Sequence, residues 1–149
     1  MMRALIGTPS VSSTNNRHDQ SNLPVIHLLA DWLENLGFKV TLQPLVGQTG
    51  KANLIATIGP AYKGADGLVL SGHTDTVPYD DSHWSQDPFT LTEKENNFYG
   101  LGSTDMKSFF ALAIETATRF NASDYKRPLT ILATADEESA MSGAQALLK

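Results

Sequence analysis

The chain contains no cysteine, which removes at once a disulfide framework, a thiolate nucleophile and any cysteine-ligated zinc site. A metal held by this sequence must therefore use histidine and carboxylate donors. No apolar run is long enough to cross a bilayer, and no leader pattern follows Met1; a soluble, cytoplasmic protein with no membrane partner is expected. Basic residues are few, 11 Lys and Arg against 16 Asp and Glu for a formal net charge of -5, and they are scattered singly. That leaves no electrostatic footprint for nucleic acid. Internal repeats and low-complexity linkers are absent too.

What remains is an ordinary globular balance, 41% hydrophobic and 18% charged over 149 residues, enough for one domain that buries roughly two-thirds of its unfolded surface. Met2 to Ile6 reads as the last turn of a helix stopped by Gly7 and Pro9, an odd way for a chain to begin. From Ser21 or Asn22 a helix is expected, with Ile26, Leu29, Leu33 and Leu36 on one stripe and Gly37 as its stop. Phe38 to Leu42, Asn53 to Ile58 and Leu68 to Leu70 read as strands, the third all-apolar and therefore expected to be central. A hairpin turning near Asn96 and Asn97 follows. The strongest helical spacing, Met106, Phe109, Phe110, Ala113, Ile114 and Ala117, predicts a helix from about Asp105 to Phe120. Leu129 to Ala133 reads as a buried strand, and Ser142 or Gly143 opens a final helix cut short at Lys149. Strands alternating with helices predict an α/β fold with a mixed sheet covered on both faces.

The chemistry concentrates at the ends of these elements. Strand Leu68 to Leu70 runs into Ser71-Gly72-His73-Thr74-Asp75, where an α/β sheet presents its ligands. In extended chain His73 and Asp75 share a face, so His73 can offer one ring nitrogen to a metal while Asp75 accepts the other N–H. Taken alone, a His-x-Asp pair is common. Asp105 alone reads as an N-cap carboxylate at the start of the strong helix. Strand Leu129 to Ala133 exits into Asp136-Glu137-Glu138, and adjacent carboxylates there are expected to point in different directions, one toward metal and one toward a water as base. Together these residues match the hard oxygen and nitrogen donors that zinc or a similar ion takes. Gly100-x-Gly102 lacks the third glycine of a dinucleotide fingerprint. His18, His27 and His83 have no ligand spacing and read as surface residues.

Three segments, Ser71-Gly72-His73-Thr74-Asp75-Thr76-Val77-Pro78, Tyr99-Gly100-Leu101-Gly102-Ser103-Thr104-Asp105-Met106-Lys107 and Ala133-Thr134-Ala135-Asp136-Glu137-Glu138, resemble the di-zinc amidohydrolase and exopeptidase family in order and spacing. The resemblance implies a three-layer α/β/α fold with a mixed, mostly parallel sheet. It implies two divalent ions, zinc foremost and cobalt next, with His73 on one ion, Asp105 bridging both and Glu138 on the second. It makes Asp75 the orienting partner of His73 and Glu137 the general base, and it places a cis peptide at Asp105-Met106. Trp84, Asp87-Pro88-Phe89 and Phe98-Tyr99-Gly100-Leu101-Gly102 look most like the branch that deacetylates an N-acyl amino acid, with desuccinylases and dipeptidases as alternatives. By the same resemblance, residues 1–149 form the N-terminal part of the catalytic domain, and further ligands and a lid through which the full-length enzyme forms a homodimer lie beyond Lys149. The chain alone is then expected to be inactive, or to persist as a non-catalytic α/β module.

Overall fold

The computed structural model describes residues 1–61 and 66–148. In chain order its elements are α1 (Met2–Ile6), α2 (Leu23–Asn35), β1 (Lys39–Pro44), β2 (Ala52–Ile58), β3 (Leu68–His73), β4 (Thr92–Lys94), β5 (Asn97–Tyr99), α3 (Lys107–Ala117), β6 (Leu129–Thr134) and α4 (Ser142–Ala146). A four-stranded sheet runs β1-β2-β6-β3, and β4 and β5 make a separate hairpin. The α/β class and the mixed sheet are as expected. A mostly parallel sheet is not what these strands form: β3 and β6 pair parallel, whereas β1 with β2 and β2 with β6 pair antiparallel.

One core holds the molecule together, and it lies on one face of the sheet. Leu54, Ala56 and Ile58 of β2 and Ile131 and Ala133 of β6 point into it, against Val25, Ile26, Leu29 and Leu33 of α2 and Phe110, Ala113, Ile114 and Ala117 of α3. Strand side chains alternate, so Ile55, Thr57, Thr130 and Leu132 face the other way and are only half buried. Among the described residues, only the short α4 approaches that second face, through bonds from Gln43 and Asn53. That short helix is what the described residues contribute to the expected third layer.

Strand β3 is also placed differently from its expectation. It is an edge strand of the described sheet, with Leu68 58% and Val69 56% exposed, because β6 takes the central place between β2 and β3. An apolar run marks apolar surroundings but cannot say which strand supplies them. The hairpin turns at Glu95 and Asn96, one residue earlier than expected, and both have positive φ (52° and 60°), as a two-residue type I′ turn requires. Helix α3 starts at Lys107 rather than Asp105, and Met106 precedes it without a side-chain cap.

The one-sided core gives a paired test. Replacing Ile131, fully buried, by Ala should destabilise the chain by about 2–5 kcal/mol in urea unfolding. Leu132→Ala, on the uncovered face, should lower stability by about 1 kcal/mol or less. The reverse order would mean that the second face carries a layer of its own.

Candidate metal centre

The parallel pairing of β3 with β6 aligns His73 with Thr134, so the chain leaves both strands at the same end of the sheet. His73-Thr74-Asp75 from one and Ala135 to Glu138 from the other thus emerge side by side. Thr134 stitches the junction: its carbonyl accepts from the Thr74 N–H (2.9 Å) and Oγ1 (3.0 Å), and its own hydroxyl donates to the Gly72 carbonyl at 3.2 Å.

The third limb arrives because Gly72 has no side chain. A Cβ there would stand 2.9 Å from Met106 Cε and 3.0 Å from Phe109 Cδ1, so the glycine lets the start of α3 lie directly on the end of β3. That brings Asp105 Oδ1 to 2.9 Å from His73 Nε2, which is why the carboxylate is no N-cap. The Asp105-Met106 peptide is cis.

His73 is buried, 7% exposed, and Asp75 is fully buried. The His73 Nδ1 lies 3.1 Å from the Asp75 carbonyl oxygen and 3.6 Å from its carboxylate Oδ1. The backbone of Asp75 is therefore the nearer partner of the ring, and the carboxylate acts on it through charge. Asp75 Oδ2 accepts the Glu138 N–H at 3.0 Å, while Oδ1 is buried without a hydrogen bond. Glu137 Oε2 stands 3.9 Å from His73 Nε2. The donor atoms of His73, Glu137 and Glu138 all lie within 4.8 Å of one another. Glu137 and Glu138 thus converge on one place instead of diverging, because β6 has already ended and Asp136 turns the chain with a left-handed φ of 61°.

Charge is unbalanced here. Asp75, Asp105, Glu137 and Glu138 surround one imidazole, and among the described residues no lysine or arginine forms an ion pair with any of them. Burial disfavours a charged His73, but Asp75, then Asp105 and Glu137, outweigh it and raise the ring from 6.5 to about 9. Partial burial, together with the neighbouring Asp105, Asp75 and Glu137, pushes Glu138 up against the pull of His73. Burial also opposes the Asp75 carboxylate, yet His73 and the backbone N–H groups of Glu138 and Glu137 hold it below its ordinary value. Nitrogen and oxygen donors, a carboxylate behind the histidine and an excess of negative charge fit a divalent cation.

Beside the cluster a cleft of about 570 Å³ is lined by Asp105, Glu138, Thr76, Trp84, Phe98 and Tyr99, among others. His18, His27 and His83 are exposed, as expected.

Two supports had no reading in the sequence. The Lys107 ammonium is fully buried, donates to the Thr8 carbonyl at 2.7 Å and reaches Ser10 Oγ at 3.4 Å; burial lowers it to about 8. Ser10 Oγ in turn donates to the Thr74 carbonyl at 2.7 Å. The Thr76 N–H donates to the Ser10 carbonyl at 3.2 Å and the Ser12 N–H to the Thr76 carbonyl at 2.9 Å. Residues 8–12 thus strap down the loop that carries His73 and Asp75. A buried lysine two residues after Asp105 carries no sequence signal of its own, since lysine is ordinarily a surface residue.

The pattern of peptidase family M20/M25/M40 matches residues 69–149. An acetylornithine deacetylase from Shigella sonnei (strain Ss046) is 54% identical over 143 residues, 96% of this chain and 37% of that protein. One from Proteus mirabilis (strain HI4320) is 54% identical over 145 residues, 97% of this chain and 37% of that protein. The chain thus spans 37% of the length of these curated relatives. Human carnosine dipeptidase 1 superposes with a TM-score of 0.78 at 22% identity, over 99% of this chain and 33% of that one. The M20 family metallo-carboxypeptidase Sso-CP2 from Sulfolobus solfataricus gives 0.67 at 22% identity, over 89% and 29%. These two likenesses speak for the fold.

The raised His73 gives a pH dependence with a defined sign. Its folded value, about 9, lies above the ordinary 6.5, so its contribution to the stability of the metal-free chain is full below 6.5 and is lost as pH rises through 9. In chelator-treated protein the thermal midpoint should fall between pH 7 and 9.5, and His73→Gln should remove most of that slope. An unchanged slope in the variant would show that the carboxylates do not hold the charged ring.

Proposed function

Because the chain belongs to peptidase family M20/M25/M40, we propose that its cluster is the metal centre of an amide hydrolase that removes the acetyl group of N-acetylornithine, giving ornithine and acetate. The cluster of His73, Glu137 and Glu138, with Asp105 against the same ring, carries the hydrolytic part of this reading. The identity to two acetylornithine deacetylases supports the substrate. Residues 1–149 are, on this reading, the N-terminal part of the catalytic domain. The whole protein works in the cytoplasm as a homodimer.

The roles follow from position. His73, Asp105 and Glu138 would hold two divalent ions, zinc foremost. Bound there, the ions supply an acidified water and a polarised amide carbonyl. Asp75, fully buried behind the ring, keeps His73 in one tautomer and orientation. Glu137, 3.9 Å from the ring and partly exposed, takes the proton from the attacking water and delivers it to the departing amine. The aromatic wall of Trp84, Phe98 and Tyr99 shields the acyl group from bulk water.

Replacing Glu137 by Gln in the full-length protein should lower turnover by about 10²–10⁴-fold while metal content, read by elemental analysis, stays unchanged. Retained turnover would remove Glu137 as the base. Acetylornithine should be hydrolysed faster than succinyl-diaminopimelate or dipeptides, and a preference for a dipeptide would overturn the substrate. The 149 residues alone, supplied with zinc, should show little turnover, and normal activity would mean that the ligands named here suffice.

A further inference from the structure

Asn53 is an unusual residue for its place. Asparagine is depleted in strands, yet this one sits in β2 with no exposure to solvent. Backbone pairing between β2 and β6 stops at Leu54 opposite Ala133, and the Asn53 carboxamide continues the connection by side chain. Its Oδ1 accepts the Ala135 N–H at 3.1 Å, and its Nδ2 donates to the Gly143 carbonyl and to Gln43 Oε1, both at 2.9 Å.

Ala135 and Gly143 are the two ends of the segment that carries Glu137 and Glu138. The Gly143 N–H donates to the Ala135 carbonyl at 3.1 Å, so the segment is closed at its base, and one carboxamide fastens both ends to β2. The approach is so close that a Cβ on Gly143 would stand 2.4 Å from the Ala135 oxygen and 2.5 Å from Asn53 Oδ1. Inside the closed segment little is free to move. Asp136 accepts the hydroxyls of Ser139 and, at 2.6 Å, Ser142, and its carbonyl accepts the Met141 N–H at 2.7 Å. The segment is thus internally fixed, fastened at its base by Asn53 and held near its tip by Asp75, so its orientation is set at the base.

We propose that Asn53 is a positioning residue for the Glu137 and Glu138 pair, its carboxamide setting how the segment leaves β6 and so where both carboxylates stand relative to His73. The inference rests on the metal-centre reading above. It requires a group that accepts one hydrogen bond and donates two, which is the inventory of a primary amide. Aspartate at this position retains the acceptor and loses both donors.

The test is cobalt(II) titration of the full-length protein followed by its visible absorption bands, which report ligand geometry, alongside thermal midpoints of metal-free samples. The variants are Asn53→Asp, Asn53→Ala and the milder Gln43→Leu, which removes from a half-buried position the bond to Asn53 and the one to the Ala146 carbonyl. Leu33→Ala, in the core beneath α2, is the control for lost stability alone. Asn53→Asp and Asn53→Ala should weaken cobalt binding by about 10–100-fold and change the band shape, and Gln43→Leu should do so less. Leu33→Ala should lower the midpoint and leave affinity and bands unchanged. Should neither Asn53 variant fold, Gln43→Leu against Leu33→Ala decides. Unchanged cobalt affinity and bands in the folded Asn53 or Gln43 variants would overturn the inference. No cobalt uptake by the unsubstituted full-length protein would overturn the metal-centre reading itself.

Discussion

The site depends on one pairing, the parallel ladder between β3 and β6. Parallel strands side by side end at the same edge of a sheet, and here they end level, His73 opposite Thr134. Had β6 run antiparallel to β3, its acidic exit would lie at the far end, some six residues of strand away. Parallel neighbours need a crossover connection, and the crossover contains α3. The helix that closes the topology is thus also the one that delivers Asp105.

Around that edge the protein gathers charge that it does not neutralise. Carboxylates brought this close repel one another; their negative charge holds a proton on His73, and burial together with that repulsion raises Glu138. The surrounding structure has to over-determine such an arrangement, and it does so from several directions. Thr134 joins the two strand ends, Asn53 closes the acidic segment, and the buried Lys107 and Ser10 hold the histidine loop from behind. None of these supports need touch a substrate.

The sequence made the elements and the ligand types legible, because both have local signatures. The helical stripe of α3 is written in Phe110, Ala113, Ile114 and Ala117, and all four are buried. The segments around His73, Asp105 and Glu138 could be read from residue order alone. What could not be read is relational. Leu68 to Leu70 looks the same in a central strand and in an edge strand. The N-cap reading of Asp105 failed because Gly72, 33 positions earlier, makes room for α3 to approach β3. Glu137 and Glu138 converge through the left-handed turn at Asp136, which nothing in three consecutive acids announces. Asn53 sits in an otherwise apolar run and acts on residues more than eighty positions away.

The strap formed by residues 8–12 bears on how the molecule ages as well as on how it stands. Its anchor residues are buried, but the chain directly after it, from Thr14 to His18, is exposed and includes Arg17, a trypsin site on a surface turn. A single clip after Arg17 leaves every ligand, strand and long helix covalently whole. It turns the strap, however, from a tethered segment into a detachable peptide, and the local concentration that kept Ser10 on Thr74 is lost.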